Sequence, residues 1–108
     1  MKTIIALLSV FITATSAAYA ASASENWENS CASCHGADGK AQTKQGKKLK
    51  IRDYTDPAVQ AVLKDDAMIK ATAEGVMEAG KQRMKGFKDE YSEAEIKDLV
   101  AFVRALKP

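Results

Sequence analysis

The stretch Cys31-Ala32-Ser33-Cys34-His35 guides the interpretation of the whole sequence, because it holds both cysteines and the one histidine of the 108 residues. On a turn of helix, two thiols three positions apart lie on the same side of the backbone, and the imidazole follows directly. This arrangement allows two bonds to one flat group and a nitrogen ligand beneath it. The stretch is therefore the candidate binding site.

A Cys-x-x-Cys-His sequence is the attachment motif of c-type haem, in which Cys31 and Cys34 bond to the porphyrin edge and His35 binds the iron. Other interpretations stay open at this point. A zinc site needs four ligands, and the sequence supplies three Cys and His residues. A thioredoxin-like redox pair needs a preceding strand, which the pattern does not indicate. A plain disulfide and a chance occurrence are the remaining alternatives.

The first 20 residues have the pattern of an export signal. Lys2 precedes an apolar run at 4–12, and small residues lead to Ala18-Tyr19-Ala20, which resembles a signal-peptidase site. The run is shorter than the roughly 20 apolar residues of a membrane-spanning helix. We therefore predict a signal peptide at 1–20 and one domain at 21–108 that works in the periplasm without stable membrane insertion.

The predicted mature domain is short of large apolar side chains. Of the 50 apolar residues in the sequence, 14 lie in the first 20 positions, and the other 36 include 14 Ala and two Cys. Only 20 bulky apolar residues remain for a domain of 88, which is near the size at which a core alone gives little stability. We expect a bound cofactor to complete the core.

The charges indicate which partners to expect. The formal net charge of +2 is too small for a general nucleic-acid binder, so no nucleic acid is predicted. The basic residues are unevenly spread, with six and no acid at 40–52 and four and no acid at 81–88. We predict that Lys81, Arg83, Lys85 and Lys88 lie with the 40–52 group around the cofactor site and steer acidic partners.

Helical patterns dominate the rest of the sequence. The clearest is the last helix, where Ser92-Glu93-Ala94-Glu95 is a capping box followed by apolar residues at helical spacing to Leu106. Further helices are predicted at about 24–34, at 57–64 behind an Asp56 N-cap, and from Asp65 or Asp66 to Gly75. No strand pattern is apparent, and 36–55 is predicted to be a loop.

The order of these features resembles a short bacterial class I cytochrome c over essentially all of the predicted mature chain. The resemblance is carried by CASCHGADG at 31–39, GKQRMKGF at 80–87 and YSEAEIKDLVAFVRAL at 91–106. It implies an all-α small cytochrome c fold, with about four helices around one covalently attached haem c. It also implies that the first and last helices cross, with Trp27 against Leu99 and Phe102.

The second axial iron ligand is less certain than His35. A second histidine is absent, so the ligand is a methionine, a less common donor such as Lys or Tyr, or none. Of the methionines after the signal, Met68 fits a helix core and Met77 closely follows Gly75. Met84 matches the methionine of the family's MPxF-like element, although Lys85 and Gly86 replace the proline. We predict Met84 as the distal ligand and a cavity beside His35 and Met84.

These ligands predict a one-electron carrier and not an enzyme, because a His/Met pair leaves no iron position for a substrate. We predict a monomer that cycles between Fe(II) and Fe(III) and, because of its basic residues, meets redox protein partners with acidic docking surfaces. The alternative is a ligand-binding or catalytic haem protein with an open or labile sixth position. Arg52 and Tyr54 are candidates to hydrogen-bond the haem propionates.

Overall fold

The computed structural model describes residues 22–108, so the predicted signal peptide at 1–20 lies outside the described residues. The elements are, in chain order, α1 (Ala23–Ser30), α2 (Ala32–His35), α3 (Lys44–Leu49), α4 (Pro57–Val62), α5 (Asp65–Glu74), β1 (Val76–Glu78), β2 (Lys81–Met84) and α6 (Glu93–Ala105). The all-α prediction is confirmed in that the structure is mostly helical, although 22–108 contain six helices where about four were expected, and a two-stranded sheet. Within 22–108, no helix is both long enough and apolar enough to cross a membrane.

Helix α6 begins at the predicted capping box. The Ser92 hydroxyl accepts a hydrogen bond from the backbone N–H of Glu95 at 3.1 Å, and the Glu95 carboxylate accepts one from the Ser92 N–H at 3.0 Å. Hydrogen bonding of the Glu95 carboxylate to the Ser92 backbone and side chain lowers the pKa of Glu95, because it stabilises the charged form. Two orphan N–H groups at the helix start are thereby satisfied.

The core lies where α1 crosses α6. Trp27 of α1 is 4 % exposed and packs with Cys31, Leu99 and Val103 in one buried cluster. The rings of Trp27 and Phe102 have centroids 5.2 Å apart. The crossing of the first and last helices through Trp27, Leu99 and Phe102 is therefore present as predicted.

Helices α4 and α5 are joined to α6 by a network around Gln60 and Arg104. The Gln60 amide nitrogen donates to the carbonyl oxygens of Tyr54 at 2.7 Å and Val103 at 2.9 Å. The Arg104 guanidinium donates to the Gln60 and Leu63 carbonyls and pairs with Asp65 at 2.7 Å. Arg104 thereby supplies donors to the Gln60 carbonyl in the last turn of α4 and to the carbonyl of Leu63, which caps this helix.

Two predictions about the helices need correction. The helix predicted at about 24–34 is divided at Cys31 into α1 and α2. The segment 36–55, predicted to be a loop, contains α3, whose N-cap Thr43 accepts a hydrogen bond from the Gly46 N–H at 2.8 Å. This helix is short and carries one bulky apolar residue, so its sequence has no apolar periodicity.

The segment around the predicted methionine ligand is a β-hairpin and not an irregular loop. Strands β1 and β2 pair antiparallel, with Val76 opposite Met84 and Glu78 opposite Lys81. The two turn residues, Ala79 and Gly80, both have positive φ angles, at 49° and 74°, as in a type I′ turn. All three residues of β1 are exposed, so no alternation of apolar and polar residues marks the strand.

Candidate functional site

A cavity of about 710 Å³ lies beside the Cys-x-x-Cys-His stretch. Its lining is contributed by the end of α1, by α2, by the segment after α3, by the β-hairpin and by the segment after the hairpin. The predicted ligands Cys31, Cys34, His35 and Met84 all line it. A smaller cavity of about 70 Å³ adjoins the core and also contacts Cys31, His35 and Met84.

The two cysteines are free thiols that open onto this cavity. Cys31 is buried, and burial together with the neighbouring Cys34 raises the pKa of the Cys31 thiol to about 11. The free Cys31 is therefore a protonated thiol at neutral pH. No group of three or more His, Cys, Asp or Glu residues within 22–108 is placed to hold a metal ion.

The imidazole of His35 lies between two aromatic rings. Its centroid is 5.5 Å from that of Trp27, and 5.3 Å from that of Tyr54, which stacks on it with an interplanar angle of 22°. Burial lowers the pKa of His35, so the ring is neutral at neutral pH, which is the form that binds metals. Its buried Nδ1 has no hydrogen-bond partner among the described residues.

Hydrogen bonds fix the backbone of α2 from both sides. The indole N–H of Trp27 donates to the carbonyl of Gly36 at 3.0 Å, which ties the end of α2 to α1. The Thr43 hydroxyl donates to the carbonyl of Cys34 at 2.6 Å, which ties α2 to the start of α3. The positions of Cys34 and His35 therefore depend on residues that lie outside the motif.

The structure separates the three candidate methionines. Met84 is half-buried and lines both cavities together with His35. Met68 packs against the core cluster of Trp27, as its helical pattern indicated. Met77 is 63 % exposed and lines neither cavity. Met84 is thus the methionine that shares the larger cavity with the Cys-x-x-Cys-His residues.

The basic groups are only partly gathered at the cavity. Four of the ten predicted residues line it, namely Lys50, Arg52, Arg83 and Lys85. Lys81 and Lys88 are exposed and do not line it, and the same holds for the lysines within α3. Each of the two basic segments therefore contributes one pair of residues to the lining of the cavity.

Several lining residues were not predicted from the sequence. Ile51, Leu63, Val76 and Phe87 supply apolar surface. Arg52 and Tyr54, which were predicted as candidates for the haem propionates, line the same cavity. Phe87 is 6 % exposed, although it follows the hairpin in a largely polar segment. The one local signal for it is the Gly86-Phe87 pair directly after Met84 and Lys85.

The sequence matches a protein family over most of its length. The family, described as cytochrome c oxidase, cbb3-type, subunit III, matches residues 18–103. The chain belongs to this family of c-type cytochrome domains. Such cytochromes are haem-based electron carriers that act with redox protein partners, and membership implies a covalently bound haem c.

Solved structures of c-type cytochromes share this fold. The KustC0563 c-type cytochrome is 31 % identical, with a TM-score of 0.72, and the match covers 82 % of this chain and all of that one. A mutant of the same cytochrome gives a TM-score of 0.69 at 31 % identity and covers 81 % of this chain. No curated protein matches the sequence. The cytochrome c fold predicted from the sequence is thus confirmed.

The residues of the cavity fit a c-type haem. Its volume is within the range of about 300–1,000 Å³ typical of cofactor sites. The donors are two thiols at the attachment spacing, a neutral imidazole and a thioether, which together suit covalently held haem iron. The remaining surface combines apolar side chains and the stacked Tyr54 ring with polar and charged residues such as Arg52 and Glu90.

A substitution at Gly46 tests how closely α3 packs against α2. A Cβ at this position would overlap the Ala41 carbonyl and lie 2.9 Å from the Cys34 carbonyl oxygen. Replacing a helical Gly by Ala ordinarily stabilises a protein by about 0.5–1 kcal/mol. Here we expect Gly46→Ala to destabilise the haem-loaded protein by about 1–3 kcal/mol in urea unfolding, because backbone must move.

The matched control is Lys47→Ala, an exposed position of the same helix, which should change the free energy of unfolding by less than about 0.5 kcal/mol. A stabilising effect of Gly46→Ala would show that the helices do not pack this closely.

Proposed function

We propose that this cytochrome is an exported one-electron carrier with a single haem c, and not an enzyme. The observation that carries the proposal is the convergence of Cys31, Cys34, His35 and Met84 on one cavity. When bound, the haem would supply an iron centre that exchanges one electron between Fe(III) and Fe(II). The residues of the chain would hold this group, cover it and set its reduction potential.

Each cavity residue has a proposed role. Cys31 and Cys34 would form the thioether links, and His35 and Met84 would be the axial ligands. A soft thioether ligand favours the reduced iron and raises the potential. Arg52 and Tyr54 line the cavity and are candidates for the propionates. That His35 and Met84 both line this cavity supports electron transfer over substrate chemistry at the iron.

Export is proposed from the sequence pattern at 1–20. A periplasmic location agrees with a mature domain at 21–108 and with the redox partners of the family. The basic residues that line the cavity support acidic docking surfaces on those partners. We propose a monomer, as the resemblance implies.

Haem attachment is the first test of the proposal. We expect the protein purified from the periplasm of a host that attaches c-type haem to keep its haem stain after denaturing electrophoresis. Its intact mass should equal the chain from about Ala21 plus one haem. The variant with Cys31→Ser and Cys34→Ser should lose the stain, because no covalent bond then retains the group.

A disulfide between Cys31 and Cys34, with no haem stain from the unmutated chain, would contradict the proposal. A mass that includes residues 1–20 would contradict signal cleavage alone.

Substitution of Met84 distinguishes an electron carrier from a haem protein with an open coordination position on the iron. We expect the oxidised protein to show the weak red absorption band that a thioether ligand gives to ferric haem. Met84→Ala should abolish this band and lower the midpoint potential, because a donor that favours Fe(II) is lost.

Met77→Ala is the matched control, since Met77 is exposed and lines neither cavity. This variant should leave the red absorption band and the midpoint potential unchanged. Absence of the band from the unmutated protein would favour the alternative with an open or labile sixth position.

The dependence of the electron-transfer rate on ionic strength tests whether the basic residues that line the cavity attract an anionic partner. Electron transfer to an anionic oxidant such as ferricyanide should slow as salt rises, because the screening length falls from about 30 Å at 0.01 M to about 8 Å at 0.15 M. Lys50→Gln should slow the reaction at low salt and have little effect at high salt.

Lys70→Gln is the control, because Lys70 is exposed on α5 and does not line the cavity. A rate independent of salt, or equal effects of the two variants, would rule out steering by these basic residues.

A further inference from the structure

Arg83 joins two walls of the cavity. It lies on β2, directly before Met84, and its Nη2 donates a hydrogen bond to the carbonyl oxygen of Leu49. Its Nη1 lies 3.4 Å from a carboxylate oxygen of Glu78, on the opposite strand of the hairpin. One side chain therefore connects β1, β2 and the end of α3.

The acceptor of this bond is a helix end that needs a donor. Leu49 is the last residue of α3, and Lys50 ends the helix in a left-handed conformation with φ 52° and ψ 46°. The final carbonyls of a helix lack donors within it and form its negative end. The Arg83 guanidinium supplies both a donor and a positive charge there, and its side chain is 34 % exposed.

The other attachments of the hairpin lie at its base. The backbone N–H groups of Phe87 and Lys88 donate to the carbonyls of Thr72 and Ala73 in α5, at 2.9 and 3.1 Å. Gly86 is packed so closely there that a Cβ would lie 2.6 Å from the Ala73 carbonyl oxygen. These contacts fix where the hairpin leaves α5 but not its inclination to the other wall.

Among residues 22–108, the bond from Arg83 to Leu49 is the one hydrogen bond between the hairpin, 76–84, and the opposite wall, 44–54. Leu49, Arg83 and Met84 all line the cavity, so this bond crosses between its walls. Without it, no hydrogen bond among these residues would join the hairpin to the opposite wall.

We propose that Arg83 is a positioning residue for Met84, which latches the β-hairpin to the C-terminal end of α3 and so keeps the thioether at the cavity. The inference rests on the proposed function, in which Met84 is an axial ligand. A lysine cannot replace this latch, because it lacks the planar fork that reaches Leu49 and Glu78 together.

Amide hydrogen exchange of the haem-loaded protein tests the latch directly. Arg83→Met keeps an apolar stem and removes both contacts. We expect exchange across 76–84 to become about tenfold faster than in the unmutated protein, as loss of a hydrogen bond to a charged group predicts. Exchange in α6 should not change. Arg83→Lys should accelerate exchange across 76–84 by a smaller factor. It replaces Arg83→Met as the test variant if Arg83→Met does not fold.

The matched control is Lys81→Met, which removes one positive charge from the same strand at an exposed position away from the cavity. It should leave exchange at 76–84 unchanged. Equal exchange in Arg83→Met and Lys81→Met would overturn the inference.

Imidazole binding to the ferric protein supplies the second readout. An added imidazole must displace the thioether, so we expect it to bind about tenfold faster to Arg83→Met than to Lys81→Met, in proportion to hairpin opening. Equal binding rates, with the red absorption band present in both variants, would overturn the positioning role and leave the proposed function intact. Absence of the band from the unmutated protein would instead reject Met84 as a ligand, and with it the positioning role, whatever the exchange result.

Discussion

The contact of the Trp27 indole with its neighbours is the interaction on which the rest of the structure depends. The ring packs on Phe102 in α6 and on His35 in α2, and its N–H donates to the Gly36 carbonyl. One side chain thus joins the first helix, the last helix and the candidate iron ligand. A buried Trp suits this role because it combines a large apolar surface with one directed donor.

Two walls of the cavity differ in how they are attached to the rest of the fold. The wall formed by α2 is held by buried bonds to Trp27 and Thr43, whereas the hairpin wall is exposed along β1 and is joined to α3 through Arg83. This asymmetry parallels the two proposed axial ligands. His35 lies in a fixed aromatic setting, and Met84 lies on an element with fewer attachments.

Much of the fold and the candidate site was predictable because it depends on local signals. The Ser92 capping box, the Asp56 N-cap and the Cys-x-x-Cys-His spacing each act within a few residues, so the sequence displays them directly. Helix α3 was missed because it is six residues long and carries one bulky apolar side chain, Leu49, so no apolar periodicity marks it. The hairpin was missed because its strands are short and its turn places Ala79 at a positive φ angle, which alanine rarely adopts.

The crossing of α1 with α6 also has a consequence for the order of folding. Asn26 bonds to Glu95, and Ser30 to Tyr91, so these contacts join positions more than 60 residues apart. Closing so long a loop has an entropic cost, and contacts between residues close in sequence do not offset it before the loop closes. The ribosome makes α6 more than 60 residues after it makes Trp27. The nascent chain therefore cannot form this crossing, or enclose a group beneath it, until α6 has been made.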